Sequence, residues 1–215
     1  MYVKKRVSST IGAINHLKRF LPFHIFCIFL KAYVLSIIDY CLPIWGVLPL
    51  NDLQFLQNKI NNVILNFSEP PKWMKRLKRI NCKPITDCCL LEKANILSVP
   101  ERLKYYTLKI TFKTLSLKSI PENTNNTRLI EYNMSMFSFK RPSRTRSGTK
   151  KLLDKTYKWK SSSYEKSFKF RAIELWNSLP DFLLDDKLSV NTFMKKLCKY
   201  FLDQRISINL TRKPP

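Results

Sequence analysis

One long apolar run, residues 20–50, constrains the fold of this chain more than any other segment. It reads FLPFHIFCIFLKAYVLSIIDYCLPIWGVLPL, and an uninterrupted run of this kind would suit a helix that spans a membrane. His24, Lys31, Asp39 and three prolines divide it into pieces shorter than the roughly 18 apolar residues that a span requires. A segment that is apolar on nearly every side then predicts a fully buried core helix, over about residues 22–40.

Amphipathic helices are predicted on both sides of that segment. Ser8 and Ser9 can cap the first of them, in which apolar residues recur at spacings of three and four. Asn51 can cap the other, whose apolar face contains Leu53, Leu56, Ile60, Val63, Ile64 and Phe67. Three helices with the most apolar one in the middle predict a small bundle over residues 1–67.

The rest of the chain divides into two further regions. Residues 68–127 are predicted to form a basic linker with connecting helices, near residues 85–97 and from Pro100 to about residue 117. Residues 128–215 are predicted to contain a basic arm, a short extended segment near residues 154–160, a helix from Ser163 that Pro180 ends, and a last helix capped by Ser189. The predicted fold class is mainly α.

The charge of the chain indicates a polyanionic partner. The sequence has 39 basic and 15 acidic residues, a formal net charge of +24. Repulsion among these charges destabilises a compact fold unless a polyanion neutralises them, so nucleic acid is the expected partner and an anionic membrane surface the second. A surface that is basic for solubility alone is the alternative.

Two basic clusters are the predicted contacts to a phosphate backbone. One surrounds Trp73 in SEPPKWMKRLKRINCK, residues 68–83, and the other lies in FSFKRPSRTRSGTKK, residues 137–151, which has no acidic residue. Trp73 and Trp159 have lysines nearby in sequence, which suits stacking on bases, and packing in a core is an equal alternative. The predicted contacts are Lys72, Lys75, Arg76, Lys78, Arg79, Arg141, Arg144, Arg146, Lys150 and Lys151.

The sequence shows no pattern typical of an enzyme. Three glycines cannot build a phosphate-binding loop, and His16 and His24 have no nucleophile pattern near them. Asp185 and Asp186 are interpreted as a solvated loop, because two-metal chemistry needs further converging carboxylates. The six cysteines have no zinc spacing and are interpreted as reduced thiols of an intracellular protein, in the cytoplasm or the nucleus. The sequence therefore predicts no catalytic residue, no metal and no cofactor.

Three segments, in this order, resemble the C-terminal portion of reverse transcriptases from non-LTR retrotransposons of the LINE and jockey-like type. They are INHLKRFLPFHIFCIFLKAYVLSIIDYCLPIWG at residues 14–46, LQFLQNKINNVILNF at residues 53–67, and SFKFRAIELWNSLP at residues 167–180 with FMKKLCKYFL downstream. The most specific parts are Asp39-Tyr40-Cys41-x-Pro43-x-Trp45-Gly46, Arg171-Ala172 and Leu175-Trp176-Asn177-x-Leu179-Pro180.

That resemblance implies a thumb-like helical bundle followed by the region that comes after the polymerase. The aspartate pair, the fingers, the palm, the endonuclease and the Cys-Cys-His-Cys knuckle of the family have no counterpart in these residues, so a non-catalytic fragment is expected. The missing polymerase region is then a further possible partner.

The third segment predicts a structural role for its aromatic residue. Trp176 is expected to anchor the C-terminal region by burying its ring, with Asn177 and Pro180 ending the helix, and Trp45 is expected to be structural as well. A platform on which a base stacks is the functional alternative for Trp176.

Sequence-tolerant binding of a nucleic-acid backbone, without catalysis, is therefore the favoured function. A helical protein anchored to a membrane by residues 20–50 is a second hypothesis, and a pseudogene-derived product without a function is a third.

Overall fold

The computed structural model describes residues 2–17, 20–40, 42–45, 49–68, 91–92, 94–116, 137, 139, 153–154, 167–184 and 188–211. Most of these residues are helical, which confirms the predicted mainly α fold. Among them no strand forms, and one isolated antiparallel bridge joins Phe139 and Leu153. The predicted extended segment near residues 154–160 lies outside the described residues apart from Asp154.

The chain divides into two compact units. The first contains Met1–Arg102 and Phe201–Pro215, and the second contains Leu103–Tyr200. The predicted division into residues 1–67, 68–127 and 128–215 stays a prediction, since much of the last two regions lies outside the described residues.

Helices of the first unit follow the predicted order. They are α1 (Tyr2–Leu17), α2 (Phe23–Phe29), a π-helical segment (Leu30–Leu35) that continues directly into α3 (Ser36–Asp39), α4 (Leu42–Trp45) and α5 (Leu50–Ser68). The predicted caps of the first and third helices are wrong. Ser8 and Ser9 lie inside α1, and Asn51 lies inside α5, because both helices begin earlier than their first good capping residue.

The core of the first unit comes from one face of each helix. Along α5 the predicted apolar positions Leu53, Leu56 and Ile60 are buried, and Phe67 stacks on Phe26 of α2 with ring centroids 3.5 Å apart. Other buried residues of this unit include Val7, Ile11, Ile14, Leu30, Val34, Leu35, Ile38, Leu42, Val63 and Ile64.

The prediction that residues 22–40 are buried on every side is wrong. Ile28 is 60% exposed and Tyr33 is 57% exposed, and Lys31 and Ser36 are exposed as well. Within the first unit, α1 contacts the π-helical segment and α3, and the face that carries these exposed residues is left uncovered by the described residues. The apolar composition of this helix therefore predicts that it contributes to the core, but it does not predict what fraction of its surface is buried.

A tight turn precedes the next long helix. Asn95 adopts a left-handed conformation with φ of 51°, and the amides of Ile96 and Asn95 donate to the carbonyls of Leu91 and Glu92 at 2.9 Å. This pattern is a Schellman motif, which ends a helix and packs the apolar residues on either side of the turn. The predicted helix near residues 85–97 therefore ends before Asn95.

A capping box starts α6 (Val99–Ser116). The amide of Ser98 donates to Glu101 Oε2 at 2.8 Å, and the amide of Glu101 donates to Ser98 Oγ at 3.4 Å. From α5, Gln57 Oε1 accepts the amide of Val99 at 2.7 Å. The sequence predicted Pro100 as the first residue of this helix, but Pro100 is the second.

The second unit contains most of α6 and the N-terminal half of α8 (Val190–Thr211). It also contains α7 (Phe168–Asn177) and a 3₁₀ turn (Asp181–Leu183). Ser167 caps α7 by accepting the amide of Phe170 at 3.3 Å, so the helix begins at Phe168 and not at Ser163. Ser189 caps α8 as predicted, accepting the amide of Thr192 at 3.2 Å. Helix α7 ends at Asn177, three residues before Pro180.

An aromatic cluster forms the core of the second unit. Phe112 of α6 stacks on Phe193 of α8 with ring centroids 4.1 Å apart, and Trp176 of α7 lies 6.4 Å from Phe112 and 6.3 Å from Phe193. Asn177 extends this core by accepting the amide of Leu153 at 2.8 Å and donating to the carbonyl of Leu153 at 3.0 Å. The cluster therefore fixes α6, α7 and α8 against one another within this unit.

Candidate functional site

The residues predicted to contact nucleic acid lie outside the described part of the chain. This holds for the ten basic residues of the two clusters and for Trp73 and Trp159. Asp185 and Asp186 also lie outside it, whereas the neighbouring Leu183 and Leu184 are buried.

The residues that the family resemblance predicts to be structural lie within the described part of the chain. Trp176 is 4% exposed, so its ring has no open face on which a base could stack. Asn177 holds the backbone of Leu153, and Pro180 precedes the 3₁₀ turn. Trp45 is the last residue of α4.

An open cleft of about 770 Å³ lies between α6 and α8 in the second unit. We call it the basic cleft. Its lining consists of Tyr105, Lys109, Lys113, Val190, Asn191, Met194, Lys195 and Cys198.

Helical spacing explains why these side chains share the basic cleft. Tyr105, Lys109 and Lys113 are four residues apart on α6, so they project from one face of the helix. On α8, Val190, Met194 and Cys198 recur at the same spacing, with Asn191 and Lys195 beside them. The cleft therefore combines cationic side chains with an apolar strip.

The aromatic cluster holds both sides of the basic cleft in place. Phe112 lies next to Lys113 in sequence, and Phe193 lies between Asn191 and Lys195. Because the rings of Phe112 and Phe193 stack, the spacing of α6 and α8 is set by buried contacts and not by the lysines themselves. The lysines are thus positioned on a rigid support.

The charge of the basic cleft is uncompensated by the described part of the chain. No acidic side chain of the described residues lines it, and none of them forms an ion pair with Lys109, Lys113 or Lys195. Lys113 and Lys195 are exposed, and the Lys109 ammonium lies 5.5 Å from the centroid of the Tyr106 ring. Three ammonium groups around one cleft repel one another, so an anion that enters it lowers that repulsion.

Positive charge in the first unit is used differently. Arg102 donates to Asp39 through two nitrogens, with Nε 2.7 Å from Oδ1, and Arg205 donates through two nitrogens to Glu101. Arg205 Nη1 also donates to the carbonyl of Ile96 at 3.1 Å, and Lys4 pairs with Asp52. The two arginine pairs connect α3, the first turn of α6 and the C-terminal half of α8, and the Lys4 pair connects α1 with α5.

Neither the basic cleft nor these ion pairs were predicted from the sequence. The spacing of Tyr105, Lys109 and Lys113 was a visible signal for a basic helical face. Asp39, the sole acidic residue of the apolar run, was a visible signal for a buried cation partner.

Thiols and imidazoles do not form a further site in the described part of the chain. Burial raises the pKa of the Cys27 thiol, and the nearby Lys31 opposes that shift. His16 and His24 are both exposed. No group of three or more His, Cys, Asp and Glu side chains suited to a metal ion occurs among the described residues.

None of the described helices is both long enough and apolar enough to cross a bilayer.

No protein-family model, curated protein or solved structure matches the chain.

Proposed function

We propose that this chain binds nucleic acid through the phosphate backbone, with little preference for sequence and without catalysing a reaction. The observation that carries this proposal is the basic cleft, in which three lysines surround an apolar strip and have no acidic partner among the described residues. Lysine ammonium groups bind phosphates as point charges and carry no information about base sequence.

The distribution of charge favours a polymeric anion over a small one. Net charge rises from +5 over residues 1–67 to +8 over residues 68–120 and +11 over residues 121–215. A single small anion neutralises few charges, whereas a polynucleotide carries enough phosphates to neutralise many of the 39 basic residues.

The family resemblance supplies a context for such binding. We infer that the chain derives from the thumb and post-polymerase portion of a non-LTR retrotransposon reverse transcriptase, where it would hold nucleic acid beside a polymerase. The motif residues Asp39 and Trp176 support this interpretation as scaffold positions, since Asp39 is paired with Arg102 and Trp176 lies in the aromatic core.

Binding of fluorescent oligonucleotides at increasing salt tests this function. We expect the association constant to fall by orders of magnitude between about 50 and 200 mM salt, because each neutralised phosphate releases counterions. Two oligonucleotides of the same length and unrelated sequence should bind equally. A flat response to salt, or no binding at 50 mM, would contradict the proposal.

A membrane surface is the second candidate, and exposed apolar side chains of the first unit favour it. Phe20, Ile28, Tyr33, Tyr40 and Ile44 are all exposed. Ile28 and Tyr33, with Lys31 between them on one continuous helical segment, would suit a helix lying in the plane of a bilayer. Sedimentation with anionic vesicles, followed by extraction with alkaline carbonate, separates the two candidates. Recovery of the protein in the extracted pellet would favour the membrane.

A further inference from the structure

We propose that the basic cleft is a binding site for one unpaired strand of nucleic acid, with neighbouring phosphates on Lys109 and Lys113 and a base against Tyr105. This inference rests on the proposed function, and it adds a defined location and a preference for single strands. Neither follows from net charge alone.

The spacing along α6 suits a single strand. Lys109 and Lys113 are one turn apart, which separates their positions by about 6 Å along the helix axis. That distance is comparable to the separation of neighbouring phosphates along one extended strand. Tyr105 lies one further turn away on the same face, where it can meet a base next to those phosphates.

The opposite side of the basic cleft completes a nucleotide-sized environment. Lys195 brings a third positive charge from α8, and Asn191 offers both a donor and an acceptor to the edge of a base. The side chain of Tyr105 is half-buried and meets the ring of Tyr106 edge-on, with centroids 5.3 Å apart. A ring held in this way is a preformed stacking platform.

The size of the basic cleft favours a single strand over a duplex. A volume of about 770 Å³ lies in the range of sites for small molecules, which is enough for a nucleotide or two. A double helix keeps the faces of its bases stacked inside and presents only their edges and its backbone to such a site. Stacking on Tyr105 is therefore available only to a strand whose bases are unpaired.

The test compares two triple variants of the full chain. The cleft variant carries Lys109→Gln, Lys113→Gln and Lys195→Gln. The matched variant carries Lys104→Gln, Lys196→Gln and Lys199→Gln, which removes three exposed lysines from the same two helices but outside the cleft lining.

Affinity for a fluorescent oligouridylate is then measured at constant salt. We expect the cleft variant to bind at least tenfold more weakly than the matched variant, and we expect the two to differ much less on a duplex of equal length. Equal losses on oligouridylate in both variants would overturn the cleft assignment while leaving backbone binding intact. If the unmodified protein binds no polynucleotide at all, the proposed function fails first.

Substitution of Tyr105 tests the stacking contact separately. Tyr105→Leu should weaken binding of oligouridylate about tenfold and leave binding of inorganic polyphosphate, which has no bases, unchanged. Tyr105→Phe keeps the ring and should retain affinity. An equal loss on both probes, or no loss on either, would contradict a base at this position.

Photocrosslinking gives a result that does not depend on variants. The unmodified protein is irradiated with oligonucleotides containing 4-thiouridine, and the crosslinked peptides are identified by mass spectrometry. We expect crosslinks to Tyr105, Met194 or Cys198. Crosslinks confined to other regions would overturn the proposal.

Discussion

In the first unit, Arg102 and Arg205 each hold a carboxylate through two nitrogens, whereas Lys109, Lys113 and Lys195 of the second unit have no acidic partner among the described residues. Arginine suits the first task because its planar guanidinium matches a carboxylate and is weakly hydrated. Lysine suits the proposed binding of phosphate, because its exposed ammonium remains available to a ligand. The cations of this chain therefore include some that are paired within the fold and others that are left exposed, and it is to the exposed ones that we assign the proposed ligand.

Placing positive charge in either unit costs free energy, and a different interaction offsets that cost in each. Arg205 is 7% exposed, so the free energy of its burial is recovered only while Glu101 and the carbonyl of Ile96 accept its hydrogen bonds. The lysines of the basic cleft remain solvated, and their mutual repulsion is offset by the stacked rings of Phe112 and Phe193 beneath them. Removing a cation should therefore have opposite consequences for stability and binding in the two units.

The largest loss of stability is expected for Arg205→Ala. It leaves Glu101 and the carbonyl of Ile96 without this partner, and the free energy of unfolding should fall by about 3 kcal/mol. Urea denaturation followed by circular dichroism measures the change. Lys199→Ala, an exposed change on the same helix, is the control and should cost less than about 0.5 kcal/mol. Equal effects of the two substitutions would show that the ion pair of Arg205 does not stabilise the first unit.

A smaller loss is expected for Arg102→Ala. Its ion pair with Asp39 is partly buried, with both side chains 15% exposed, so the free energy of unfolding should fall by about 2 kcal/mol. A double-mutant cycle with Asp39→Ala isolates the pair, and we expect a coupling of about 1.5 kcal/mol. A coupling near zero would show that Asp39 and Arg102 act independently, contrary to their geometry.

In the second unit, Asn177→Ala tests a support that consists of uncharged hydrogen bonds and not of an ion pair. Two hydrogen bonds to the backbone of Leu153 are lost, and the free energy of unfolding should fall by about 1.5 kcal/mol. Asn177→Asp retains the acceptor for the amide of Leu153 but sets a second oxygen against the carbonyl of Leu153, so it should destabilise this unit as well. An unchanged free energy of unfolding in Asn177→Ala would show that the hydrogen bonds to Leu153 do not stabilise this unit.

The smallest effect on stability is expected in the basic cleft. Lys113→Ala and Lys195→Ala should each change the free energy of unfolding by less than about 0.5 kcal/mol, because both side chains are exposed and neither has an acidic partner among the described residues. Thermal melts of both variants measure this. A loss comparable to that of Arg205→Ala would assign these lysines to the fold instead of to a ligand.

Periodicity in the sequence predicted the helices well, because it is a local property. Leu53, Leu56 and Ile60 are buried along α5 as their spacing indicated, and Ser189 caps α8. Helix starts were less predictable. The start of α1 at Tyr2 shows that a capping residue such as Ser8 does not by itself begin a helix.

Long-range pairing could not be predicted from the sequence. Glu101 and Arg205 are 104 residues apart, and Asp39 and Arg102 are 63 residues apart, so no local pattern connects them. The basic face of α6 could be predicted from the spacing of its residues, but the pairing of that face with α8 could not. Lys195 and Lys196 look alike in sequence, and only the packing of α6 against α8 places Lys195, and not Lys196, in the lining.

The slope of the logarithm of affinity against the logarithm of salt concentration is the most direct measurement of the central claim. It should be measured on single-stranded oligonucleotide for the unmodified protein, for the triple variant of the basic cleft, and for Arg102→Ala. We predict that the cleft variant lowers the slope by about 1.4, since the proposed site holds two phosphates and each phosphate contact to a single strand contributes about 0.7. Arg102→Ala should leave the slope unchanged. An unchanged slope in the cleft variant, or an equal drop in Arg102→Ala, would contradict the division between structural and ligand-binding cations.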